Sequence, residues 1–161
     1  MAEGAYSHAG GYGNYAKGNA SYAHGTGNIA EGYGAQALGA KTEANGYWSY
    51  SNGIETIAEG NIQTVIGAAN KIDSSKAFII GNGKLTKEKD DTTINSSNSE
   101  IIHLNNENAD ETAINRSNAM SVDWNGNMEL AGGIILTDTA DATKKYKLTI
   151  TKGALKIEHI L

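Results

Sequence analysis

A glycine recurs at every seventh position over the first part of the chain, at 4, 11, 18, 25, 32, 39, 46, 53, 60 and 67, without an insertion. A small residue stands two positions before each one: Ala2, Ala9, Ala16, Ala23, Ala30, Ala37, Ala44, Ser51, Ala58 and Val65. Three positions after them come Ser7, Asn14, Ser21, Asn28, Ala35, Thr42, Ser49, Thr56, Gln63 and Asn70, mostly short polar residues of the kind that turn a chain. A period of seven invites a coiled coil, but that fold needs two bulky apolar positions per heptad and loses roughly 1 kcal/mol at each helical Gly. Collagen needs Gly at every third position with abundant Pro, and the chain has no Pro. Calcium-binding β-rolls carry Asp in each repeat, whereas the first Asp here is Asp73. What remains is a short strand and a tight turn, repeated as a solenoid whose coils hydrogen-bond to one another.

Alternation along a strand puts the Ala and Gly of each unit on one face, which is expected to be the inside of a thin roll. The residue between them adds a second rhythm. Taken alternately, one series is Glu3, Lys17, Glu31, Asn45, Glu59 and the other is Gly10, His24, Leu38, Asn52, Ile66. One side is polar and the other less so. The repeating coil is therefore expected to be 14 residues, with two strands per turn, one sheet facing water and the other facing protein.

Composition agrees with a thin architecture. Of 161 residues only 39% are hydrophobic and 7% aromatic, with a single Phe, too little bulk for one thick core. The net charge of -5 disfavours nucleic acid, whose affinity comes largely from Lys and Arg displacing counterions. No apolar stretch is long enough to cross a bilayer, and the opening MAEGAYSHAG lacks the basic and apolar regions of a secretory signal, so neither membrane insertion nor general export is expected. The absence of Cys removes disulfides, thiolate ligands and thiol nucleophiles together.

The run SYAHGTGNIAEGYGAQALGAKTEANG resembles the head repeats of trimeric autotransporter adhesins, the YadA-like left-handed parallel β-roll. Downstream, AFIIGNG (77–83) and RSNAMSVDWNGNMELAGG (116–133) resemble a segment that follows such heads in tail-fibre and minor structural proteins of phages and prophages. The resemblance implies an intertwined homotrimer with inner sheets packed around a threefold axis, where His24, Leu38 and Ile66 would lie. The repeat glycines, among them Gly11, Gly18, Gly25, Gly32, Gly39, Gly46, Gly53 and Gly60, are expected to be structural. The chain shows no signal sequence, coiled-coil stalk or membrane anchor, so a receptor-binding or structural component of a phage tail is expected, in the virion and beside other tail or baseplate proteins. The alternative is a bacterial surface adhesin head.

The expected fold is thus all-β: a roll over 1–72, a strand and polar connector over 73–116, and β-hairpins over 117–161. From residue 71 the register is expected to lapse, with KIDSSKAFIIGNG a strand leaving the roll and a long polar loop near 84–115. Asn125-Gly126-Asn127 and Lys152-Gly153 are hairpin signals between alternating runs. Trimerisation is expected to cover the apolar face those runs leave bare.

No catalytic constellation is found. His8, His24, His103 and His159 lie in different segments without metal-ligand spacing, no Ser sits in a Gly-x-Ser-x-Gly elbow, and the glycine clusters lack the Lys-Ser/Thr of a phosphate loop. Glu31 and Glu59 are read as solenoid surface charges rather than a glycosidase pair. No enzyme activity, metal or cofactor is expected. The aromatics are the better candidates, because rings can stack on sugars or grip a protein, and Tyr47, Trp48 and Tyr50 form the densest cluster. A host-surface glycan or protein is the expected partner.

Overall fold

The computed structural model describes residues 1–85, 114–137, 140–141, 143–151 and 154–160. Through the repeats, long and short strands alternate: β1 (His8–Tyr12), β2 (Tyr15–Ala16), β3 (Tyr22–Thr26), β4 (Ile29–Ala30), β5 (Gln36–Ala40), β6 (Glu43–Ala44), β7 (Tyr50–Ile54), β8 (Ile57–Ala58) and β9 (Thr64–Ala68). The long strands pair with one another in parallel, Tyr22 beside Gln36 and Ala23 beside Ala37. The short strands do the same in a second, four-stranded sheet, Ile29 beside Glu43. The fold is all-β, a parallel β-solenoid of about five 14-residue turns.

Small side chains make the interior. Ala16, Ala30, Ala44 and Ala58 of the short sheet and Ala23 and Ala37 of the long one are fully buried, and among the described buried apolar residues only Val65 and Ile79 are larger than Ala. Two layers this close leave no room for a conventional core at the corners. There the backbone leaves its ladder and its polar groups must find partners. The polar column of the repeat supplies them from inside. Asn28 donates its amide to the carbonyls of His24 and Gly39, each at 2.8 Å, while its Oδ1 accepts from the backbone N–H and the hydroxyl of Thr42, each at 2.9 Å. Asn14 does the same one coil earlier, to Gly10 at 2.6 Å and Gly25 at 2.7 Å. These residues turn the chain as expected, but as buried rails that tie one coil to the next.

The glycines differ from expectation in direction. A Cβ on Gly25 would lie 2.1 Å from the carbonyl oxygen of Gly39, and one on Gly32 would lie 2.0 Å from that of Gly46. The missing side chain points along the stack at the next coil, not into the roll. In the long strands the glycine is also left-handed, with φ of +120° at Gly25 and +119° at Gly39, which breaks the simple alternation.

Beyond the repeats, β10 (Lys76–Asn82) does not leave the roll. It lies parallel to β9 with Phe78 beside Thr64 and Ile79 beside Val65, so the 14-residue register holds and Gly81 falls beside Gly67. The loop before β10 hides this, because Ser74 stands where the seven-residue pattern calls for a glycine. Next come β11 (Lys84–Leu85), β12 (Ile114–Asn115), β13 (Asn118–Asp123) and β14 (Met128–Leu130). β11 and β12 pair antiparallel on either side of 86–113. That segment, with His103 and most of the expected polar loop, lies outside the described residues. β13 adds antiparallel to β10, and β14 follows across the Asn-Gly-Asn turn, so the long sheet has eight strands. Finally β15 (Ile134–Thr137), β16 (Lys145–Thr151) and β17 (Ala154–His159) form a three-stranded antiparallel sheet. The β16–β17 hairpin is the one expected, although its Lys152-Gly153 turn lies outside the described residues. β15 is a third strand beyond the expected hairpin, antiparallel to β16.

Candidate functional site

Among the described residues no group of three or more His, Asp or Glu side chains converges as a metal site. His8 and His24 stack on Tyr22, with ring centroids 5.0 and 6.1 Å away, and His159 lies 5.3 Å from Tyr146. These are ring contacts on sheet surfaces, not ligand sets. A polar cleft of about 360 Å³ opens beside β10, β13 and β14, lined in part by Lys71, Asp73, Lys76, Arg116, Asn118 and Glu129. Most of its groups are engaged with one another. Lys76 Nζ meets Glu129 at 2.7 Å, a hydrogen bond that raises the lysine above and lowers the glutamate below its ordinary value. Arg116 donates to the carbonyl of Glu55 at 2.7 Å, and Asn118 exchanges two hydrogen bonds with the backbone of Lys71, at 2.8 and 3.0 Å. The cleft is a brace that fastens the hairpin to the roll.

The outer face of the long sheet brings His24, Leu38 and Ile66 together. They stand in one column, Gly10, His24, Leu38, Asn52, Ile66 and Ile80, as neighbours across successive strands. Leu38, Asn52, Ile66 and Ile80 are half-buried and His24 is exposed. Tyr50 belongs to the adjacent column, between Gln36 and Thr64, and its hydroxyl accepts from Asn52 at 2.7 Å. The opposite face of the roll carries a polar column, Lys17, Glu31, Asn45 and Glu59, beside a mixed one of Tyr15, Ile29, Glu43 and Ile57. There Lys17 lies 3.7 Å from Glu31, and Asn45 donates to Glu59 at 3.0 Å.

Tyr47 and Trp48 are elsewhere, on the row of turns that leads from each short strand to the next long one. In each turn the repeat glycine accepts from the residue three ahead, as Gly46 does from Ser49 at 3.2 Å, and the residue before that donor is left-handed. Tyr6, Ala20, Gly34, Trp48 and Ile62 hold this position, with φ of 59°, 55°, 64°, 55° and 57°. Turns stack on turns, Trp48 N–H donating to Tyr33 O at 2.8 Å and Ile62 N–H to Tyr47 O at 2.7 Å. The indole of Trp48 lies over Gly34, where a Cβ would come within 2.5 Å of the ring, and meets Tyr33 edge-on at 5.4 Å. Tyr33, Tyr47 and Trp48 remain 46%, 63% and 59% exposed. The structure thus separates Tyr50 from the expected trio and brings in Tyr33. The signal that finds Tyr33 is the 14-residue step to Tyr47, visible once the coil length is known.

A second uncovered surface lies on the C-terminal sheet. Ile134, Leu148 and Ile157 form one cross-strand row and Leu136, Tyr146 and His159 the next, on the same face. Ile134, Leu136, Leu155 and Ile157 are all exposed. Lys147 and Glu158 occupy the other face with Ile135. Compared with protein-family models, curated proteins and solved structures, the chain matches none.

Proposed function

We propose that the protein is a homotrimeric structural and receptor-binding component of a phage or phage-like tail, and that it presents a stiff β-solenoid to the host surface. The observation that carries the trimer is the one-sidedness of both sheets. The roll has a salt-bridged polar column on one face and a less polar column with Leu38, Ile66 and Ile80 on the other, and the C-terminal sheet exposes Ile134, Leu136 and Ile157 on one face. Water-exposed apolar rows of this kind are covered in a stable protein, and copies of the same chain offer a matching surface. The tail setting is supported by the resemblance of 77–83 and 116–133 to segments of tail proteins. Light scattering at micromolar concentration is expected to return three times the chain mass of 16.9 kDa. Labelled antibody against the chain is expected to decorate tails of assembled particles. A monomer would reject the first part of the proposal, and particles without label the second.

A further inference from the structure

The turn row tests what each coil needs, because the same position is filled differently in neighbouring coils. At the second turn residue, Asn19 and Asn61 each accept from the backbone N–H one coil earlier, of Ala5 and Tyr47, both at 2.9 Å. The two coils between them place Tyr33 and Tyr47 there and forgo that bond. At the left-handed position Gly34 suits the backbone, whereas Tyr6, Ala20, Trp48 and Ile62 each hold a side chain on a conformation that disfavours one, Trp48 the largest. The fold does not require these rings. Tyr33 and Trp48 nonetheless meet edge-on with Tyr47 on the same turn row, and among the described residues the Tyr33 and Tyr47 hydroxyls and the Trp48 indole N–H have no partner. Among the described residues the Asn61 side-chain NH₂, whose Oδ1 accepts from Tyr47 N–H, also has no partner.

Flat aromatic faces ringed by unpaired donors and acceptors match one ligand chemistry closely. A pyranose presents a C–H face that stacks on a ring and a rim of hydroxyls that pair with amides, phenols and indole N–H groups. We propose that Tyr33, Tyr47 and Trp48 form a carbohydrate-binding platform for a neutral glycan. The site rests on the attachment reading for its setting and gives that reading a ligand class. The platform takes the sugar's apolar face on the Trp48 and Tyr47 rings, with Asn61 and the phenols at its rim.

The full chain is titrated by calorimetry with two probes, cellotetraose and the β-1,4-linked tetramer of N-acetylglucosamine. Saturable binding to at least one is expected. Trp48→Gly copies the turn of the preceding coil, so it is expected to keep the fold while weakening binding about tenfold or more, the scale of losing one stacked ring. Tyr47→Ala is a second, independent lesion with the same expectation. Tyr50→Phe, on the sheet face, is expected to leave binding unchanged. Saturation by neither sugar, or binding that survives both turn variants, overturns the proposal. So does attachment to host envelope that depends on Trp48 but persists after enzymatic removal of its glycans, since that assigns the edge to a protein partner. A trimer that binds no sugar rejects the platform alone, and a monomer that binds sugar rejects the assembly alone.

Discussion

At the scale of single residues, the solenoid is sensitive where coils touch and tolerant where they face water. Gly25→Ala would drive a Cβ to 2.1 Å from a backbone oxygen at φ +120°, where neither the neighbour nor the new side chain can yield. A loss of about 1–3 kcal/mol per chain is expected, read as a lower thermal midpoint. Asn28→Ala removes two donors and an acceptor from the buried rail, leaving the His24 and Gly39 carbonyls without that amide and the Thr42 N–H without its acceptor. Each stranded group costs about 1–3 kcal/mol, so this change is expected to be at least as severe as Gly25→Ala in the same melt. Trp48→Gly is expected to be near neutral, because relief of roughly 1–2 kcal/mol of left-handed strain offsets about 0.5–1.5 kcal/mol of lost contact with Tyr33. Equal melting of wild type and all three variants would show that contacts between coils do not limit stability.

At the scale of elements, acid should loosen the β13–β14 hairpin before the roll. The Asp123 carboxylate accepts from the Asn127 side chain at 2.8 Å and from the backbone N–H groups of Asn127 and Asn125, at 2.8 and 2.9 Å, which hold it below its ordinary value near 3.8. Glu129 is held low by Lys76 across β10 and β14. A carboxylate lowered by folding contributes stability that is complete above its unfolded pKa and lost as pH falls through the folded one. Amide exchange at Val122 and Met128 is therefore expected to accelerate relative to Ala37 as pH falls below about 4. Asp123→Asn should weaken the hairpin at neutral pH and flatten that dependence. The raised Lys76 contributes below the ordinary lysine range and is lost only as pH rises through its raised value, so no alkaline loosening is expected near neutrality.

At the scale of the whole molecule, the two faces of the roll predict different consequences for the same kind of change. Lysine at both Leu38 and Ile66 would place charge on the less polar column and is expected to yield a monomer with an unchanged β-sheet spectrum. Glu31→Lys, on the salt-bridged face, should leave the mass as it was. Light scattering with circular dichroism separates the outcomes, and an unaltered mass in the double variant would place the interface elsewhere. Association that stabilises the fold should also make the melting midpoint rise with concentration.

The period alone determined the fold class, because glycine and alanine at every seventh position leave only a thin stack of short strands. The Asn-Gly-Asn and Lys-Gly hairpins were equally legible, since turn chemistry is local. Tertiary structure decided the rest. Seven-residue spacing merges two kinds of glycine, one in a turn and one in a left-handed strand position, and only the stacked coils show that both face a neighbour's backbone. It likewise hid β10, whose place in the sheet depends on pairing with β9 across a loop that breaks the pattern. Tyr47, Trp48 and Tyr50 are close in sequence, but a left-handed turn and a strand send their rings to different surfaces. Tyr33 joins Trp48 because adjacent coils are one hydrogen-bonded spacing apart, a proximity set by winding rather than by order along the chain.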